Sequence, residues 1–272
     1  MKVKLIQMTQ NPIDIMWTAA RTCYSEKSPI NIWEDRNGLV SDGVEHTEAY
    51  IEECTEKHWK LVKTVIDSKH ESICENVSFT FAIEGVSRVL LAQITRHRTG
   101  IVFGVMSQRY VEIKESYETL VEALDGDTAE QEKYLKVIAE KYFTNITSDN
   151  YRAYIQALIS YLGMIKRGVK PEDARMILPN ATKTNITMTV NLRELMHVSN
   201  LRLCSRAQYE IRSLFKLIKE EVEKVEPKLA SLLVPSCEAA HGICFEHNSC
   251  GRYPSIDEVM KVYKKYKGSI ND

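Results

Sequence analysis

The chain has 272 residues, enough to bury a sizeable core as one large domain or two small ones. Its 36 Lys and Arg against 37 Asp and Glu leave a net charge of -1, which removes the basic excess expected of a protein that works on a nucleic-acid backbone. No apolar run approaches the roughly 20 residues of a membrane span, and the polar start from Met1 to Met8 is too short for a secretory core, so the expected setting is the cytoplasm. Seven cysteines, an odd number, do not read as a secreted disulfide framework; Cys23, Cys54, Cys74 and Cys204 read as small buried hydrophobes.

Residues 3–7 make a short expected strand. From about Glu48 to Lys69, the positions Tyr50, Ile51, Cys54, Val62, Val65 and Ile66 recur at helical spacing and predict an amphipathic helix. Val77, Phe79, Phe81 and Ile83 then alternate with smaller or polar residues, which predicts a half-buried strand. Gly85 to Ser87 supplies a turn and an N-cap for a helix from Arg88 to about Arg96. A second strand is expected near Gln108–Ile113, and the acidic stretch 115–130 reads as a surface insertion or loop. Helices follow over about 129–145 and 149–167. The second carries an apolar stripe through Ile155, Leu158, Ile159 and Leu162, with Ser148 or Asp149 as its cap and Gly168 at its stop.

Pro171 opens a short helix, Ile186–Val190 has strand composition, and Asn191 to Val225 is a long helical segment with a break near Leu203–Ser205. This alternation points to an α/β (α+β) fold: a central, mostly antiparallel sheet flanked by helices, with a long C-terminal helical segment. A single domain over 1–272 is expected, ending in a loop-rich, Cys- and His-containing tail over 226–272. Neither kind of Gly-rich phosphate loop is present, which counts against Rossmann and P-loop nucleotide sites.

The most unusual segment runs from Gln93 through Arg96, His97 and Arg98 to Ser107, Gln108, Arg109 and Tyr110. Its arginines stand among apolar neighbours such as Leu90, Leu91, Ile101 and Phe103, so partial burial is expected. A buried guanidinium needs an anion, and few carboxylates lie nearby in sequence. On a helix Gln93 and Arg96 would share a face and could read a planar amide-bearing ring beside a phosphate, while Ser107, Gln108 and Arg109 would cradle that phosphate. An exposed basic helix end followed by a hydrophobic strand is the plainer alternative, and from chemistry alone the two stand even.

A second cluster favours the anion site. Arg175 sits beside a helix start, and Asn191, Arg193, His197 and Arg202 stud a helix that is otherwise apolar. Asn191 and Arg202 lie eleven residues apart, about 16 Å along a continuous helix, the scale of a long cofactor. Read plainly, Arg193 and Glu194 are surface charges and His197 is a satisfied core histidine. In the tail, His241, Cys244, His247 and Cys250 recur every three residues just after Cys237. Mixed Cys and His ligands suit tetrahedral zinc, yet the spacing matches no standard finger, and free thiols or a redox-labile pair are the preferred reading, with no metal.

Arg96-His97-Arg98, eight intervening residues, then Ser107-Gln108-Arg109-Tyr110 resembles the signature of the flavin-dependent thymidylate synthase family. Glu84 to Arg88, Arg175 ahead of Leu178-Pro179, Asn191 with Arg193, and Arg202 ahead of Ala207 to Ile211 match in order, so the resemblance covers roughly residues 17–215. It implies that Ser72, Arg96, His97, Arg98, Asn191, Arg193 and His197 contact FAD. It also implies that Gln93, Arg96, Ser107, Gln108, Arg109, Arg175 and Arg202 bind dUMP, with Arg202 the catalytic residue. The implied reaction is reductive methylation of dUMP to dTMP, with methylene-tetrahydrofolate and NADPH as co-substrates, in a homotetramer with shared active sites. Nucleic acid and membrane are not expected partners.

The sequence departs from the family pattern at Val105, where Glu or Gln is frequent, and at Phe103-Gly104, where polar residues are common. His197 stands where some relatives have Asn. These departures motivate a second reading, a paralogue acting on another pyrimidine nucleotide. A third, a non-catalytic RNA-binding module, is disfavoured by the near-zero charge and the lack of interleaved aromatics.

Overall fold

Val77, Phe79, Phe81 and Ile83 are each at most 1% exposed, so the alternation read from the sequence does define a buried strand face. The computed structural model describes residues 1–37 and 48–268. In chain order it holds β1 (Lys2–Met8), α1 (Pro12–Thr22), α2 (Pro29–Glu34), α3 (Glu48–Asp67), β2 (Ser78–Ser87), α4 (Arg88–Ile94) and β3 (Ile101–Val105). After these come α5 (Tyr117–Asp125), α6 (Ala129–Tyr142), α7 (Tyr151–Lys166), α8 (Pro171–Ala174) and β4 (Lys183–Asn191). The chain then runs through α9 (Leu192–Arg202), α10 (Tyr209–Glu223), α11 (Pro227–Ala230), α12 (Ser236–Ala239) and α13 (Ile256–Gly268).

The strands form one sheet in the order β1-β2-β4-β3. Its antiparallel register is visible in the backbone: Leu192 N–H donates to Val77 O, and Arg88 N–H donates to Thr182 O. On the far side of β4, Asn191 N–H donates to Gly100 O and Met106 N–H to Asn185 O. The described residues fall into two units, Met1–Val3 with Ala82–Arg96 and Phe103–Thr187, and Lys4–Phe81 with His97–Val102 and Met188–Asp272. Each unit holds part of every strand.

In the first unit, α5, α6 and α7 bury Leu120, Leu135, Ile138, Ile155, Leu158 and Tyr161 as one apolar cluster. In the second, α10 buries Ile211, Leu214, Phe215, Ile218 and Val222, the one-sided stripe of an amphipathic helix. There too, α1 presents a buried Asp14 whose carboxylate lies 2.8 Å from His58 Nδ1, and the His58 ring stacks on Trp17. No helix among the described residues is long and apolar enough to cross a membrane.

Several local expectations need correction. The second strand lies at 101–105, not 108–113, because Ser107 O accepts the amides of Tyr110 and Val111 and closes a turn there. The acidic stretch is not a loop. Tyr117, Leu120, Val121 and Leu124 fall at helical spacing within it, and Ser116 caps the resulting helix by accepting from Thr119 N–H. Asn150, one residue later than expected, occupies the N-cap of α7.

The strand continues through Gly85 instead of turning, since glycine tolerates φ +69° and its N–H is bonded to Asn185 Oδ1. Of the four scattered cysteines only Cys74 is buried, and burial pushes its thiol up to about 12; Cys23 is exposed. The tail over 226–272 contains α11, α12 and the described turns of α13, with irregular backbone between Ala240 and Ser255.

Candidate functional site

In the second unit the site begins at the junction of β4 and α9. Asn191 ends the strand and caps the helix, its Oδ1 accepting from Glu194 N–H at 2.8 Å. Leu192, Leu195, Val198 and Ser199 take the buried face of α9, which leaves Arg193 and His197 exposed. His197 is therefore not a satisfied core histidine.

His97 comes down onto this helix. Its Nε2 lies 3.3 Å from Arg202 Nε and 3.2 Å from Arg202 Nη2, its Nδ1 lies 3.6 Å from Glu194 Oε1, and its ring meets His197 edge-on at 6.3 Å. Burial first, then the charges of Arg202 and His197, push His97 down to about 4. A neutral imidazole follows, accepting from Arg202 at Nε2 and keeping its proton on Nδ1, toward Glu194. Burial holds the Glu194 carboxyl above its ordinary range, partly offset by His197.

Because the folded His97 sits below its ordinary 6.5, the unfolded chain binds more protons than the folded one between about pH 4 and 6.5. Stability should fall as the pH drops through that window. NMR titration of the imidazole should give a midpoint near 4, and His97→Gln should flatten the dependence of melting temperature on pH over that range. A midpoint near 6.5 would contradict the buried, guanidinium-facing placement.

The other predicted cofactor contacts lie around the same helix. Ser72 is exposed on the 3₁₀ turn Glu71–Asn76, which packs against α9. Arg193 is ion-paired with Glu75 from that turn. Arg98 is exposed and has no hydrogen-bond or ion-pair partner among the described residues, so its guanidinium is available to an anion. With Arg193 paired to Glu75 and His97 engaged by Arg202 and Glu194, Arg98 and the exposed His197 are the groups here best placed to meet an anionic ligand.

In the first unit, Ser107 Oγ accepts from Arg109 N–H, and among the described residues no His, Lys or carboxylate side chain is hydrogen-bonded to the hydroxyl. Gln108 is buried. Arg109 Nε is 2.7 Å from Glu172 Oε2, and Arg175 Nε donates to Glu172 O at 3.0 Å. Arg88 stands nearby, its backbone tied to Thr182 O, its Nη1 buried without a partner, and its guanidinium destabilised by burial and by Arg175. Of these three guanidiniums, Arg109 alone is paired with the Glu172 carboxylate, while Arg175 is held by the Glu172 backbone carbonyl.

The burial expected of the signature arginines is not found. Arg96, Arg98 and Arg109 are exposed, and it is the histidine between the first two whose side chain is 9% exposed. Gln93 and Arg96 do not share a helix, because α4 stops at Ile94 and Thr95 caps it by donating to Leu91 O. Sequence reasoning missed Arg88 and Glu194. Arg88 opens a helix as an ordinary charge would, and Glu194 looks like the partner of its neighbour Arg193; only their surroundings distinguish them.

Fold and site together define an α/β protein with guanidinium-rich surfaces whose chemistry suits anionic small molecules. The model of the family described as "Thymidylate synthase complementing protein" matches residues 4–228. The flavin-dependent thymidylate synthase of Clostridium tetani is 35% identical over 265 residues, covering 96% of both chains. That of Pyrococcus furiosus is 37% identical over 228 residues, 82% of this chain and 79% of its own. The chain belongs to the flavin-dependent thymidylate synthase family.

Among solved structures, thymidylate synthase X from Helicobacter pylori with FAD and dUMP aligns at TM-score 0.59 and 22% identity, over 86% of this chain and 97% of that one. A UMP/dUMP methylase, PolB from Streptomyces cacaoi, bound with 5-Br dUMP, aligns at TM-score 0.58 and 20% identity, over 85% and 93%. Both share the fold.

Proposed function

We propose that the protein converts dUMP to dTMP by reductive methylation, taking the carbon from methylene-tetrahydrofolate and reducing equivalents from NADPH by way of FAD. When bound, the flavin supplies the reducing equivalents. The chain's own residues bind, orient and stabilise charge.

The observation that carries this reading is Arg202 held by a neutral His97, itself backed by Glu194. For the pyrimidine to attack through C5, negative charge must gather on its N3–O4 edge. A guanidinium aimed at that edge stabilises the charge, and a neutral histidine orients it without cancelling its charge as a carboxylate would. Arg88, Arg109 and Arg175, of which Arg109 is paired with the Glu172 carboxylate, suit a nucleotide phosphate, with Ser107 and Gln108 beside it and Gln93 and Arg96 reading the nucleotide. Ser72, Arg96, His97, Arg98, Asn191, Arg193 and His197 suit the flavin cofactor.

A single catalytic domain with its 226–272 tail, working in the cytoplasm as a homotetramer with shared sites, completes the proposal. The test is tritium release from 5-tritiated dUMP with methylene-tetrahydrofolate, FAD and NADPH, alongside chromatographic detection of dTMP. Label release with matching dTMP is expected. Loaded flavoprotein that forms no dTMP would overturn the reading, and turnover of UMP in its place would favour the paralogue.

A further inference from the structure

Four of the seven cysteines, Cys204, Cys237, Cys244 and Cys250, line one cavity of about 280 Å³ in the second unit. They arrive from separate stretches: the turn after α9, α12, a backbone bridge to Ser255, and the loop beyond it. All four are free thiols. The histidines expected to alternate with them, His241 and His247, are exposed and do not line the cavity.

We propose that these four cysteines hold a four-iron, four-sulfide cubane cluster. Clustered thiolates select soft metals, zinc and iron–sulfur centres above all. Tetrahedral zinc draws its sulfurs to about 2.3 Å from one point, so they must nearly touch one another. Among the described residues no three His, Cys, Asp or Glu side chains are placed to hold one metal ion. A cubane binds each of its four cysteines through a different iron, so it does not need them gathered at one point, and four free thiols lining one cavity supply the required ligands.

Charge supports the same occupant. Arg206, Arg212, Lys216 and Arg252 also line the cavity, against the lining carboxylate of Glu246 and the Glu238 carboxylate that pairs with Arg252. A cubane with four thiolate ligands is a net anion, and a cationic wall lowers its energy. Cys244 is fixed for the task, since it is 6% exposed and its backbone exchanges hydrogen bonds with Pro254 and Ile256. Cys204 lies two positions beyond Arg202, and α12, which carries Cys237, packs against α9. The cluster therefore ties the end of the arginine-bearing helix to the tail.

The test is elemental. The full chain is produced with added iron, purified without oxygen, and assayed for iron, acid-labile sulfide and zinc per polypeptide. Reduced protein is then examined by electron paramagnetic resonance at low temperature, where an anisotropic cluster signal is distinct from a flavin radical. Iron and sulfide in equal amounts, approaching about four of each, are expected. Cys237→Ser should lose most of both, and Cys54→Ser should keep them. Wild-type protein with less than about one iron and one sulfide per chain would overturn the proposal, as would zinc without sulfide. Wild-type content decides the matter even if Cys237→Ser does not fold.

Discussion

Arg202→Ala is expected to slow dTMP formation by about 10²–10³-fold, the usual loss when one fixed donor to developing negative charge is removed. The side chain stands at the last turn of α9, half-buried, with His97 Nε2 3.3 Å from its Nε and 3.2 Å from its Nη2. Removal leaves that imidazole nitrogen without a donor, a stability cost of about 1–3 kcal/mol, which a domain of this size tolerates. Activity should therefore fall far more than stability. Arg202→Lys should recover little, because an ammonium cannot span the imidazole and the pyrimidine edge with a planar fork. Circular dichroism with single-turnover product formation separates the two effects. Wild-type turnover in folded Arg202→Ala would remove the arginine from the chemistry.

Gly100→Ala should be the most damaging single-methyl change near the site, lowering stability by about 1.5–4 kcal/mol. Two causes add. Gly100 sits at φ +68°, a left-handed conformation that costs an L side chain about 1–2 kcal/mol. A Cβ there would also fall 2.8 Å from Asn191 Cγ, displacing the residue that caps α9, and a lost cap costs about 0.5–2 kcal/mol. Because Gly100 O also accepts from Asn191 N–H, backbone relief would pull β3 from β4.

The comparison variant is Gly104→Ala, where the nearest atom to a new Cβ is 3.8 Å away; its melting temperature should stay within a degree or two. Thermal unfolding followed by circular dichroism reads both. Equal melting temperatures for the two variants would show that Asn191 does not need the space above Gly100.

Elements with an unambiguous period were legible before any coordinates. The alternation over 77–83, the apolar stripe of α7 and the break between α9 and α10 all follow from side chains that repeat every two or 3.6 residues. Helix α5 was not, because its acidic residues masked the spacing of Tyr117, Leu120, Val121 and Leu124. β3 was displaced because Ile101–Val105 is a five-residue apolar run, too short for its period to decide. For the candidate site, the sequence pointed to Arg202, His97 and Arg175 as candidate residues. It did not reveal that His97 is the least exposed member of the Arg96–Arg98 run, since burial depends on which helix the segment meets.

What the sequence determined by itself is the family and the inventory of charged and thiol groups, because ordered motifs and residue chemistry need no partner to be recognised. Pairing belonged to the tertiary structure. His97 and Arg202, in contact, lie 105 positions apart, and Cys204 and Cys250, on the lining of one cavity, lie 46 apart. A side chain's charge state, exposure and partner depend on atoms that only the folded chain brings within a few ångströms, over which hydrogen bonds and desolvation act.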